Sequence, residues 1–206
     1  MALADHPNVQ SVLAVGLGCE TIQSQELAAK LLARNVSTQY RIIQESGGVE
    51  GTVAAGVAAA QDLRAQYPER TVALTSLTIG IEVGRTVAQL DELEKLLKSE
   101  GCSVVTVRSE GSSAEAFSRL AEAKAHLIIS FPDDNQPASG FPLIPVINVA
   151  GNGVLHQAIA GDFDCQEMNL LTEILALMNK VVAGSQTIAE KNRSGEIRAP
   201  RVVRSV

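Results

Sequence analysis

Short β-branched runs alternate with segments of helical period along this chain, and the first three runs each end in a loop that carries Glu and Gly. Strands separated by helices demand right-handed crossovers and a mostly parallel sheet, and such a sheet binds its ligands beyond the carboxyl ends of the strands. The reading is therefore an α/β chain with a doubly wound, mostly parallel, Rossmann-like sheet of about six strands and helices on both faces. Residues 1–183 read as one domain and residues 184–206 as a polar C-terminal arm.

The runs can be placed in order. Ser11 to Gly16 is apolar enough for a strand covered on both faces, and a helix follows from about Thr21 with Asn35 as its stop signal. Tyr40 to Gln44 is a second strand and Val53 to Leu63 its helix. Tyr67-Pro68 breaks the pattern before a third run, Thr71 to Ile79. Ile81-Glu82-Val83-Gly84-Arg85 reads as the loop after it, followed by a helix from about Thr86 to Ser99. Val104 to Val107, Leu127 to Phe131 and Leu143 to Val149 complete the strands. Ser112 with Glu115 has the spacing of a capping box, and Leu170 to Val182 is the last long helix.

Composition narrows the function. The formal net charge is −6, the chain has no Trp, and no run of Lys or Arg precedes the tail, so a phosphate-backbone footprint is missing and nucleic acid is not expected. No apolar run reaches the length of a membrane span and the start lacks a signal pattern, which places the protein in the cytoplasm and away from membranes. Three widely spaced cysteines, Cys19, Cys102 and Cys165, fit reduced thiols. The broad apolar face of Leu170, Leu171, Ile174, Leu177 and Val181 suits packing on the core or on a second copy, and a homo-oligomer held partly by the arm is the expectation.

Function is sought at the strand-end loops. In QYRIIQESGGVEGT, Gly47-Gly48 lies between a strand and a helix, where positive φ brings backbone amides up to a ligand and the first helical turn attracts an anion. A small carboxylate or phosphate ligand follows, although the same glycines would serve simply to turn the chain. Cys19 and Glu20 place a thiolate beside a carboxylate, and Glu45 and Glu82 would join them if the three loops share one rim. Such a set suits divalent iron or manganese, with a carboxylate moving the proton. The plain alternatives are a small buried cysteine and glutamates that favour helix starts. A flavodoxin-like nucleotide binder is a further reading of the same loop.

At these loops the sequence resembles the altronate/galactarate dehydratase family of sugar-acid hydro-lyases. VGLGCETIQ (Val15 to Gln23) is similar to its early motif and IQESGGVEGTVAAGV (Ile43 to Val57) to its most recognisable segment. LTIGIEVGRT (Leu77 to Thr86) resembles a third motif, with Val83 where the family has a cysteine and Arg85 where it has a second glycine. PLIPVINVAGNGVL and GDFDCQE resemble later segments. The resemblance implies a shortened, metal-assisted hydro-lyase, or a subunit of one, acting on a sugar acid. It gives Glu45 or Glu82 the role of base, Gln44, Ser46, Gly47, Gly48 and Asn148 that of substrate contacts, and Cys19 and Glu20 that of metal ligands. The alternative it leaves is a catalytically reduced relative that binds a small acidic ligand or serves as a partner subunit.

Overall fold

The computed structural model describes residues 3–67, 73–110 and 112–195. The chain divides into two compact units, Met1–Arg70 and Thr71–Val206, where the sequence reading runs residues 1–183 together.

In the first unit, β1 (Ser11–Gly16) and β2 (Ser37–Ile42) form a two-stranded parallel sheet in register from Ser11 opposite Ser37 to Gly16 opposite Ile42. Between them runs α1 (Ser24–Leu32), which buries Ala28 and Leu31, and after β2 comes α2 (Gly48–Ala65), which buries Ala59 and Leu63. Asn35 ends the first helix as expected, at φ +62°, with its amide bonded to the Leu32 carbonyl. The second strand starts and stops earlier than its β-branched content suggests, which leaves Gln44 in the loop. β1 is not covered on both faces: Ala14 is buried but Val15 is half exposed. Val15, Ile43, Val49, Val53 and Val57 line an open, wholly apolar groove.

The second unit is the doubly wound part. β3 (Thr78–Val83), β4 (Ser103–Arg108), β5 (Leu127–Phe131), β6 (Val146–Ala150) and the short β7 (Cys165–Gln166) make a five-stranded, all-parallel sheet in the order β4-β3-β5-β6-β7. The expected single sheet of about six strands is thus a five-stranded sheet plus a separate pair, because among the described residues β1 and β2 pair only with each other. Helices α3 (Leu90–Ser99) and α6 (Leu170–Val182) cover one face, packing Leu93, Leu97, Ile174 and Met178 on Ile79, Ile81, Val83 and Ile129. α4 (Ser113–Glu122) covers the other, with Phe117 and Leu120 on Ile128 and Val146. After β6 come α5 (Val154–Ala158) and, beyond α6, α7 (Ile188–Lys191).

Three local expectations are corrected. Ile81-Glu82-Val83 is not a loop: β3 runs through Val83, since Ile81 and Val83 are needed in the core. Leu143 to Ile144 is not strand, because Phe141 and Ile144 close a small turn of their own before β6. The Ser112–Glu115 capping box does not form, whereas Thr187 and Glu190 make one at the start of α7. Of the third run, residues 71–72 lie outside the described residues, as does Pro68 in the expected break. The arm from residue 196 onward is also outside them. Its first part is not free: Thr187 and Ala189 are buried and α7 packs on β6.

Candidate functional site

The carboxyl ends of β1 and β2 bring two expected loops together in the first unit. Ile43 and Gln44 donate their amides to the carbonyls of Gly16 (2.9 Å) and Leu17 (3.3 Å), so the loop after each strand is tied to the other. The Gln44 side chain lies over Gly18, where a Cβ would come within 2.7 Å of its Oε1. Cys19, Glu20, Gln44, Glu45, Ser46, Gly47 and Gly48 therefore share one edge. Glu82 and Asn148 belong to the second unit.

Gly47 and Gly48 are consecutive left-handed residues, at φ +77° and +80°, and a Cβ on either would meet nothing within 4 Å. The glycines are demanded by backbone conformation, and the space above them is open. Gly47 is the N-cap of α2 and supplies no side chain to it; the Gly48 amide is bonded to the Ile43 carbonyl at 3.1 Å, and no side chain caps the 18-residue helix. Glu45 is exposed beside them.

Glu20 is occupied differently. Its carboxylate accepts the amides of Leu17 and of Gly18 (2.7 Å), closing its own loop, and those hydrogen bonds, Gly18 first, hold its carboxyl below the usual range. Cys19 is exposed and not a buried hydrophobe. A lone thiol beside a carboxylate already committed to amides does not fit a resident divalent ion. Among the described residues no three His, Cys, Asp or Glu side chains are grouped as metal ligands. The other two thiols are pushed up by burial, Cys165 to about 12, so it stays protonated and chemically quiet.

In the second unit the strand order places a switch point between β3 and β5, whose following loops leave toward opposite faces of the sheet. Glu82, Ser130 and Asn148 stand side by side across β3, β5 and β6, and all three are fully buried. The Glu82 carboxylate accepts hydroxyl hydrogens from Ser109, Ser113 (3.2 Å) and Ser130 (2.8 Å). Asn148 holds the loop after β5: its Nδ2 donates to the Ser139 carbonyl at 2.9 Å and its Oδ1 accepts the Ser139 amide at 3.3 Å. Neither side chain is open to a substrate. Sequence reading missed the three serines, whose signals were a Ser inside the apolar run LIISF and a Ser-rich turn after β4.

Arg85 ties the same edge together. Its side chain is 6% exposed, and the guanidinium pairs with Glu167 at 2.5 Å, reaches Asp134 at 3.6 Å, donates to the Val149 carbonyl at 3.3 Å and lies over the Phe131 ring. His156 is fully buried; its Nδ1 accepts the Gly151 amide, which leaves Nε2 to donate toward the carbonyls of Asp133 and Gln136.

Asp164 clips β6 to α7 by accepting the amides of Asn148 (2.8 Å) and Ile188 (2.9 Å). Burial raises its carboxyl above the ordinary range, more than those amides and Lys191 pull it down. A carboxyl raised in the folded state binds its proton more tightly there. Its contribution to stability is whole below the unfolded carboxyl range and is lost as the pH climbs through the folded one. Asp164→Asn cannot titrate and loses one of the two hydrogen bonds at every pH. Wild type should therefore lose ground to the variant as the pH rises from about 4 to 7. Urea midpoints of both across that range check it, and parallel curves would refute it.

The geometry defines an α/β protein with a glycine-rich loop pair in its first unit and a polar switch point in its second. Residues 1–67 match the family model described as D-galactarate dehydratase/Altronate hydrolase, second domain. The resemblance to the altronate/galactarate dehydratase family is thereby shown over the first unit, about a third of the chain; the motifs after residue 67 lie outside the match. No curated protein and no solved structure matches the chain. Among the described residues no helix is long and apolar enough to cross a membrane.

Proposed function

We propose that the chain binds a sugar acid or related hydroxy acid at the loops after β1 and β2, as a dehydratase-type hydro-lyase or a subunit of one. One observation carries the reading: the open Gly47-Gly48 turn at the start of α2, which no side chain caps, lies inside the segment that matches a sugar-acid dehydratase domain. A substrate carboxylate set against the first-turn amides orients the carbon next to it, with Gln44 and Ser46 as polar contacts. Glu45, exposed at that turn, is the base that takes the proton from this carbon and passes it to solvent, and the hydroxyl on the next carbon leaves as water with a proton drawn from solvent. Glu82 is sealed behind hydroxyls, which favours Glu45 for that role. Metal assistance would fall to Cys19 and Glu20 only if Glu20 releases its loop amides.

A second reading, a catalytically reduced relative that binds the acid without turning it over, is favoured by that engagement of Glu20. Galactarate and altronate are the probes. The protein is incubated with each, with and without added iron or manganese, while acid binding is followed calorimetrically and keto-acid formation by absorbance. Turnover abolished by Glu45→Gln supports the hydro-lyase. Saturable binding without keto acid supports the second reading, and absence of binding overturns both.

A further inference from the structure

The second unit keeps a charge that its packing does not call for. Glu82 is a carboxylate with no exposed surface, set in a row with Ser130 and Asn148 on a sheet face that Val107, Ile128 and Val146 make largely apolar. None of the ion pairs among the described residues includes it. A buried carboxylate without a cation is expensive and survives only when hydrogen bonds saturate it. Ser109, Ser113 and Ser130 provide them.

Those bonds fix what the serines offer to anything else. A hydroxyl has one hydrogen, and when Ser113 gives it to Glu82 its oxygen is left with lone pairs only. Ser113 also lines a cavity of about 420 Å³ at the carboxyl edge of the sheet, with Ser112, Gln136, Ser139 and Gly140 around it. The described residues lining that cavity carry no charge and no aromatic ring. Asn148 holds Ser139 by both its amide and its carbonyl, so that wall is fixed by the same polar row that contains Glu82.

We propose that this cavity binds a small neutral polyhydroxylated molecule, one hydroxyl of which donates to Ser113 Oγ, with Glu82 as the positioning residue that keeps the Ser113 hydrogen turned away. A carboxylate just behind the contact disfavours an anion there. The site is thus chemically distinct from the acid-directed loops of the first unit and does not depend on their reading.

Galactitol is a suitable probe because it has the carbon skeleton of galactarate without its charges. It is titrated into the full chain while backbone amide resonances are followed. Saturable shifts at Ser113, Ala114, Ser139 and Gly140 are expected, and Ser113→Ala should weaken them about tenfold, the worth of one hydrogen bond. Glu82→Gln should do the same with the ligand-free spectrum otherwise unchanged, because a carboxamide also donates and releases the Ser113 hydroxyl from its fixed direction. Absence of saturable shifts at these four amides, or Ser113→Ala binding as wild type, overturns the proposal. So does tighter binding of galactarate or of an amine at the same amides. If Glu82→Gln fails to fold, the galactitol titration of wild type and Ser113→Ala still decides.

Discussion

Arg85→Ala should destabilise the second unit by about 3 kcal/mol, the scale seen when one partner of a buried ion pair is removed and the other is stranded. The guanidinium joins the end of β3 to Glu167, Asp134 and the Val149 carbonyl, and it covers Phe131. Its loss leaves Glu167, also mostly buried, with the Ala88 amide at 3.2 Å as its one remaining partner among the described residues. Arg85→Lys should fall between, since an ammonium restores the charge but not the fork that serves Val149 and Glu167 together. Urea unfolding read through amide exchange at Val149 and Ala150 measures this locally. Equal protection in wild type and Arg85→Ala would show that the cluster contributes nothing.

Gly51→Ala should cost the first unit about 2 to 3 kcal/mol, as overpacking does when backbone is the obstacle. A Cβ at Gly51 would lie 2.0 Å from the Ser46 carbonyl oxygen, which no rotamer can relieve. The loop from Gln44 to Gly47 would have to move away from α2. Galactarate affinity should fall with stability, while the second unit's exchange pattern stays as in wild type. A Gly51→Ala protein with unchanged midpoint and unchanged acid binding would contradict the tight approach. Gly47→Ala differs, because there the obstacle is a left-handed φ with open space around it.

The strand-loop-helix rhythm was legible because each unit announces itself locally. Gly47-Gly48 after a β-branched run and the leucine stripe of α6 are both short-range signals, and each lies where it is expected. Glu82 was misplaced for a physical reason. In a parallel strand buried on both faces a charge looks like the end of the apolar run, and only Ser109, Ser113 and Ser130, brought in from distant segments, make it tolerable. The same limit applies to the caps. Ser112-x-x-Glu115 and Thr187-x-x-Glu190 carry one pattern, yet only the second closes as a box. The split of strands into two sheets left no mark in the sequence, because pairing partners are chosen by tertiary contact.

The row formed by Glu82, Ser130 and Asn148 also bears on how the five strands find their alignment. Were β3 to slide by one residue, its side chains would change faces, and the carboxylate would land among Ile129, Phe131 and Val149 with no hydroxyl to meet it. Apolar strands rich in Ile and Val tolerate mispairing with little penalty, whereas one anion in the middle makes every neighbouring alignment prohibitive.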